Sequence, residues 1–423
     1  MNVQNPRFPL FDSLRAIAAL SVLFFHTAFV LHQFTRPGVG HWAVQLNIGV
    51  TIFFLISGFL LYRPFVQARY SGAPRPRLIP YAIRRVARIV PAYWVALTLI
   101  ALWLGLDAVF TAGNAPVYYG FAQVYSHHTL LAVTLRGGIG HAWTLCVEMS
   151  FYVLLPLWAM LQRRAPARST RGFAIAEALP LLAIFAAGVA WNYTQIQSTG
   201  GIVDFTSEIA TLPAFLDHFA LGMGLAVASV ILAGRERQPL VVRAVERAPW
   251  APWLLAGAAF VVLCNVGSGV DTIDGEATRH LIRGVVALFL LLPAVFGDDR
   301  GGWVRRLLAD RRLQWVGLVS YSLYLWHPAV LAKLADAHVD RPLGGPGYAV
   351  VGLVACLAVA AVSFYLIERP ALRLGRRLAG RYGYQEPEGP PSGAVPVDRP
   401  GAPAIDLAGP DRAATGAGGT RPG

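Results

Sequence analysis

Long apolar runs dominate this chain of 423 residues, and short segments rich in arginine, glycine and proline separate them. An apolar stretch of roughly 20 residues is long enough to cross the hydrocarbon core of a bilayer as an α-helix. We identify such stretches near residues 9–31, 46–62, 89–109, 141–161, 173–193, 211–233, 251–267, 281–297, 314–333 and 347–367. The pattern therefore predicts an all-α polytopic membrane protein with about ten transmembrane helices.

The placement of arginine predicts the orientation of these spans. Arginines are concentrated in alternate polar segments, which are 63–88, 162–172, 234–250, 298–313 and the stretch after 367. Loops rich in positive charge stay on the cytoplasmic side. We therefore expect both termini in the cytoplasm and a multi-pass location in the cell inner (plasma) membrane.

The segment 117–135 is moderately apolar, but it contains Gln123, His127 and His128. Counting it as a further span would place the later arginine-rich loops on the wrong side of the membrane. We predict that this segment is re-entrant or interfacial.

The composition agrees with a membrane domain, since 55% of the residues are hydrophobic and 14% are charged. Soluble domains are about 25% charged. The net charge of +13 would suggest nucleic-acid binding in a soluble protein, but the arginines here flank the spans, so we expect no nucleic-acid partner. The cysteines Cys146, Cys264 and Cys356 lie in apolar segments without metal-type spacing, and we expect no metal site.

Residues from 383 onward are rich in proline, glycine and alanine. Such a composition does not bury enough apolar surface to fold. We therefore predict a membrane domain over residues 1–382 and a disordered cytoplasmic tail over residues 383–423.

The first span carries the ionisable side chains Arg15 and His26 as candidates for a function. At about 100° per residue, the spacing of these two residues places both on one face of a helix, roughly 16 Å apart along its axis. Ionisable groups inside a span are costly and are functional candidates by default. The alternative is that Arg15 reaches the interface and His26 is a hydrogen-bonded interior histidine.

Two later spans repeat this arrangement of polar residues on one face. The fourth span aligns His141, Glu148 and Tyr152, and the buried Glu148 needs a partner, for which Arg15, His26, Arg136 and His141 are candidates. The ninth span aligns Ser320, Tyr324 and His327 on one face. These positions are the remaining candidates for a site inside the membrane.

The basic loop before the third span carries Arg84 and Arg88, which are four residues apart and form one fork on a helix. Arginine binds phosphate groups bidentately, so the pair is a candidate site for a phosphorylated substrate at the cytoplasmic mouth. The alternative is that these residues act only as topology signals.

Together these motifs resemble acyltransferase family 3, a group of membrane proteins that O-acylate bacterial polysaccharides, peptidoglycan, lipids and antibiotics. The resemblance covers about residues 9–370 and rests on five short elements in order. They are Arg15 to His26, Ser57-Gly58-Phe59, Arg84 to Pro91, His141 to Tyr152 and Ser320 to His327.

The resemblance implies an O-acyltransferase with acyl-CoA, most simply acetyl-CoA, as donor substrate and no permanently bound cofactor. It implies a carbohydrate or glycolipid acceptor. Met149 stands where the family often has a second acidic residue. Some members carry a fused extracytoplasmic domain, and we expect none here. We therefore expect direct acylation of the acceptor or a separate extracytoplasmic transferase as partner.

The chemistry of this reaction suggests roles for the candidates. A histidine suits removal of the proton from the attacking hydroxyl group, so we assign His26 as base, Glu148 as the group that orients it and Arg15 as electrostatic partner. Ser57, His141, Tyr152, Tyr324 and His327 are further candidates. The sequence leaves open a transporter or flippase, a non-catalytic assembly protein, and a covalent acyl intermediate on the enzyme.

Overall fold

The computed structural model describes residues 8–126, 139–163, 169–198, 210–233, 235, 237–266, 273–297 and 301–383. Within these ranges the regular elements are helices, with short 3₁₀ turns between them. The α-helices are α1 Leu10–Val30, α2 Gly40–Val44, α3 Ile48–Tyr70, α4 Leu78–Leu104, α5 Ala115–Tyr119, α6 Trp143–Gln162, α7 Thr170–Ser198, α8 Leu216–Leu232, α9 Leu240–Arg247, α10 Trp250–Asn265, α11 Ile273–Val295, α12 Gly302–Leu308, α13 Arg311–Leu318, α14 Ser320–Asp336, α15 Asp340–Ser363 and α16 Arg369–Arg381.

Eight helical stretches in the described part of the chain are long and apolar enough to cross a membrane. They are built on α1, α3, α4, α6, α7, α8, α11 and the continuous α15–α16 stretch. The pair α9–α10, bent by 97°, would make a ninth if it acts as one broken span. The prediction of an all-α polytopic membrane protein is confirmed.

The segment 314–333, which was predicted to be one span, does not form a single helix. It is divided at Val319 between α13, which has 8 residues, and α14, which has 17 residues. Gly317 in α13 lies against the start of α1, where an added Cβ would be 1.7 Å from the carbonyl oxygen of Asp12. The apolar run predicted the location of this segment, and packing against α1 divides it.

Helix α3 lies at the centre of the helical core and packs against α1, α6, α8 and α11. Its contact with α8 is close because glycines face the opposing backbone. An added Cβ would be 2.4 Å from the oxygen of Phe219 at Gly58, and 2.1 Å from the oxygen of Leu55 at Gly222. Small residues permit such close approach of membrane helices, so Gly58 fixes the position of its neighbour Ser57.

Other predictions about the chain ends and the loops stay predictions. The structure contains no bilayer, so the cytoplasmic placement of the termini is not tested. The tail beyond 383 and residues 127–138 lie outside the described residues. The described part of the predicted re-entrant segment consists of α5 and a 3₁₀ turn at Gln123–Tyr125.

Candidate functional site

A polar cavity opens among α1, α3, α4, α6 and α14. It contains about 770 Å³ of space, part of which is open to solvent. Aliphatic and phenylalanine side chains form much of its wall. The polar side chains that line it are Arg15, Ser57, Arg85, Arg88, Thr144, Glu148, Tyr152, Ser320, Tyr321 and Tyr324.

The carboxylate of Glu148 lies in this cavity and is held by two hydroxyl groups. Ser57 Oγ donates to Glu148 Oε1 at 2.7 Å, and Tyr152 Oη donates to the same oxygen at 2.6 Å. Among the residues that the structure describes, Glu148 forms no ion pair within 4.0 Å. The cationic or histidine partner expected from the sequence is therefore replaced by hydroxyl groups, and Arg136 lies outside the described residues.

Three arginines line the cavity. Arg15 and Arg88 were candidates from the sequence, and Arg85 was not. Arg15 pairs with Asp12 at 2.9 Å, and Arg85 stacks over the ring of Tyr152 at 5.8 Å. Arg88 also lines the cavity. Arg84 donates to the carbonyl of Pro80 on its own helix and does not line the cavity. The structure therefore brings Arg85, rather than Arg84, together with Arg88.

A buried acid outside the sequence-based candidates holds Arg88 in place. Glu368 is fully buried, its Oε1 accepts from Arg88 at 2.7 Å, and its Oε2 accepts from Ser322 at 3.0 Å. Glu368 ends a π-helical turn over Phe364–Glu368 that joins α15 to α16. Such turns are rare and often occur at functional sites. A carboxylate at the end of an apolar run was the signal that could have found it.

Three histidines that are far apart in sequence meet behind the cavity. The ring centroids of His26 and His327 are 4.8 Å apart, those of His141 and His327 are 5.3 Å apart, and those of His26 and His141 are 6.5 Å apart. His26 comes from α1, His141 from the turn before α6, and His327 from α14. The sequence predicted each residue but not their contact.

Backbone carbonyl groups assign the tautomers of two of these rings. Nδ1 of His327 lies 2.9 Å from the oxygen of Tyr324, and Nδ1 of His26 lies 2.9 Å from the oxygen of Val22, so each Nδ1 carries a hydrogen. Nε2 of His327 is 3.0 Å from Nδ1 of His26, so the single hydrogen on that nitrogen is shared between His327 Nε2 and the carbonyl of Val22. The lone pair of His26 Nε2 is then available to take a proton.

Tyr324 connects the cavity to the histidines. Its hydroxyl group donates to the carbonyl of His141 at 2.7 Å and contacts the hydroxyl group of Thr144 at 2.6 Å. Both Tyr324 and Thr144 line the cavity. The two ring nitrogens of His141 are buried without a hydrogen-bond partner among the described residues. The histidine cluster therefore lies directly behind one wall of the cavity.

Comparison with known proteins identifies the family. The family described as an acyltransferase domain matches residues 9–365. The chain belongs to acyltransferase family 3. It is a multi-pass membrane acyltransferase, and the match includes each candidate named above except Glu368.

Several relatives match over most of this acyltransferase. Exopolysaccharide production protein ExoZ of Rhizobium meliloti is 26% identical over 357 residues, covering 81% of this chain and 96% of ExoZ. Nodulation protein 10 of Rhizobium leguminosarum bv. viciae is 27% identical over 399 residues, covering 88% and 95%. YrhL of Bacillus subtilis, a proposed peptidoglycan O-acetyltransferase by its name, is 24% identical over 393 residues, covering 89% of this chain and 57% of YrhL. No solved structure matches.

Proposed function

We propose that this acyltransferase moves an acetyl group from acetyl-CoA to a hydroxyl group of a carbohydrate-containing acceptor. The observation that carries the proposal is the cavity itself, which is lined by three arginines and ends at Tyr324 and Thr144, against the histidine cluster. The names of ExoZ and YrhL concern bacterial polysaccharides and support a carbohydrate acceptor. Membership in an acyltransferase family favours transfer over the alternative of a transporter or flippase.

The arginines provide the donor site in this proposal. Guanidinium groups of Arg15, Arg85 and Arg88 bind the phosphate groups of acetyl-CoA, because arginine matches phosphate oxygens bidentately. The arginine-rich loops support a cytoplasmic location for this end of the cavity, which is the side on which acetyl-CoA is made. The apolar wall of the cavity accepts the pantetheine arm, which directs the thioester toward Tyr324.

His26 acts as the general base. Its Nε2 takes the proton from the acceptor hydroxyl group, and the resulting oxygen nucleophile attacks the thioester carbonyl carbon. The tetrahedral intermediate then collapses, the carbon–sulfur bond breaks, and the protonated His26 returns the proton to the departing CoA thiolate. His327 orients His26 through the 3.0 Å contact, which is the role that the sequence had assigned to Glu148.

Glu148 has a different role in this arrangement. Its charge balances the arginines that surround the donor, and it orders Ser57 and Tyr152 at 2.7 and 2.6 Å. The hydroxyl group of Tyr324 lies at the boundary between the cavity and the histidines, and it turns from the carbonyl of His141 to donate to the developing oxyanion.

The test is to find the acetylated product in cells. Glycans and lipids of the cell envelope are compared by mass spectrometry among the parent strain, a deletion strain, and deletion strains that carry the parental gene or His26→Gln. We expect an acetyl group to disappear on deletion and to return with the parental gene but not with His26→Gln. Identical acetylation in parent and deletion strains would refute the proposal.

A further inference from the structure

A second cluster of ionisable side chains lies away from the acyl-transfer cavity. Asp217 and His218 are in the first turn of α8, and His280 is in the second turn of α11. Their relative exposures are 1%, 1% and 5%. Charged and polar groups buried inside a membrane protein require partners, which makes this cluster a candidate site.

The donor atoms of the cluster are spaced as metal ligands are. One nitrogen of each ring and one carboxylate oxygen all lie within 4.8 Å of one another. His280 Nε2 is 2.8 Å from Asp217 Oδ2, and His218 Nε2 is 3.9 Å from the same oxygen. Two ligands of one tetrahedral zinc ion are about 3.4 Å apart, given bond lengths of about 2.0–2.1 Å. The observed separations lie on either side of this value.

Hydrogen bonds within the protein leave part of the cluster unsatisfied. Asp217 Oδ1 and His218 Nδ1 are buried without a hydrogen-bond partner in the described part of the chain. An ion pair between Asp217 and His280 uses one carboxylate oxygen only. A cation bound to the carboxylate through both oxygens would satisfy the second one as well.

We propose that Asp217, His218 and His280 bind a divalent metal ion of the zinc class. Two imidazoles and one carboxylate favour zinc and related transition metals, whereas magnesium and calcium prefer oxygen ligands. The nearby cation Arg283 does not oppose the ion directly, because it donates to Glu276 at 2.8 Å and to Gln45 at 3.0 Å.

The ion has a structural role and is separate from the transfer reaction. Phe215 packs against both histidines, with ring centroids 6.0 Å from His218 and 5.9 Å from His280. On the other side it packs at 5.1 Å against Phe54, which lines the cavity. The rings of Phe215 and Phe54 therefore lie between the cluster and the cavity. Because the ligands come from two helices, the ion ties α8 to α11.

The test measures metal bound to the purified full chain, carrying an affinity tag without histidine. Zinc is added, excess is removed by gel filtration, and metal per chain is measured by inductively coupled plasma mass spectrometry. We expect about one tightly bound zinc ion per chain in the parent protein, and at least roughly a tenfold loss in His218→Gln and His280→Gln. His338→Gln, which changes an exposed histidine, is the matched control and should bind as the parent does.

A second measurement keeps the proposal testable if a glutamine variant folds poorly. His280→Cys retains a zinc ligand, so it should bind metal, and cobalt in this variant should show the sulfur-to-metal charge-transfer absorption that the parent lacks. Zinc should also raise the Tm of the parent and of His338→Gln after chelation, but not that of His218→Gln. A parent protein that takes up no zinc, or equal zinc binding by all variants, would overturn the site.

Discussion

The two histidine clusters of this protein differ in whether a carboxylate contacts the imidazole rings. The rings of His26, His141 and His327 contact one another, the rings of His26 and His327 also contact backbone carbonyl groups, and no carboxylate bonds to the three among the described residues. His218 and His280 instead share the carboxylate of Asp217. A cluster without a fixed negative charge keeps a neutral imidazole lone pair for proton transfer, whereas a carboxylate between two imidazoles favours a bound cation.

The cluster of His26, His141 and His327 also lies near the arginines that line the cavity. They lie on the cavity side of Tyr324, where Arg15 and Arg88 are paired with Asp12 and Glu368. The histidines at the cavity wall therefore lie next to a cavity that is lined by three arginines. Phe215 lies between the cluster at Asp217 and this cavity, since it packs against both His218 and Phe54.

The largest expected effect is on activity at the first cluster. His26→Gln keeps polarity and approximate volume but removes the base, so acetyl transfer should fall by about 10²- to 10⁴-fold. The Tm should stay close to that of the parent, because the variant retains a polar side chain. Acetylation of the envelope acceptor is measured at matched protein levels, with His338→Gln as the exposed control. Near-parental activity would remove His26 from the mechanism.

A change in the cluster of Asp217, His218 and His280 should lower the stability of the protein. Asp217→Asn removes the only carboxylate that contacts His218 and His280 among the described residues, and we expect the free energy of unfolding to fall by about 3 kcal/mol. Thermal unfolding of the purified protein in detergent measures this effect. Asp336→Asn, at an exposed acid at the end of α14, is the control. An equal Tm for both variants would show that the second cluster does not hold α8 and α11 together.

The donor site should respond through substrate binding. Arg88→Gln and Arg85→Gln should each raise the KM for acetyl-CoA by roughly 10- to 100-fold, the value of one charge-assisted hydrogen bond. Arg84→Gln is the matched control on the same helix and should change KM little, because Arg84 does not line the cavity. Arg88→Lys should rescue only in part, since the planar guanidinium group is lost.

Thioester consumption at varied acetyl-CoA concentration measures these constants. Glu368→Gln should reproduce a weaker form of the Arg88→Gln effect, because it loosens Arg88 without removing it. A KM that rises for Arg84→Gln and stays constant for Arg85→Gln would reverse the assignment of the cavity arginines.

The smallest expected effect concerns the hydroxyl groups around Glu148. Ser57→Ala removes one of two hydrogen bonds to Glu148 Oε1, and we expect a loss of about 0.5–1.5 kcal/mol in transition-state stabilisation. The ratio kcat/KM for acetyl-CoA measures it. Tyr152→Phe removes the other hydrogen bond and should have a similar effect. If neither change lowers kcat/KM, Glu148 does not depend on these hydroxyl groups.

Much of the fold could be predicted, because the hydropathy of a segment depends only on the residues of that segment. Apolar runs predicted the positions of α1, α3, α4, α6, α7, α8, α11 and α15. The segment 314–333 could not be predicted in detail, because its division at Val319 accompanies the contact of Gly317 with α1. The same limit applies to the bend of 97° between α9 and α10.

The sequence by itself determined which side chains share a helix face. Arg15 and His26, and likewise Glu148 and Tyr152, follow from 3.6 residues per turn, and the second pair does form a hydrogen bond at 2.6 Å. The sequence indicated Arg84 and Arg88, and the structure places Arg85 with Arg88 in the lining of the cavity, because the face of α4 that meets the cavity is set by the neighbouring helices.

Only the tertiary structure decided which faces meet. The contact of His26 with His327 joins residues from α1 and α14, Arg88 meets Glu368 across α4 and the π-helical turn, and Asp217 meets His280 across α8 and α11. Helical periodicity is a property of one helix, whereas these contacts depend on how several helices pack. Close approach at Gly58 and Gly222 sets part of that packing, and its distances are not encoded in any local pattern.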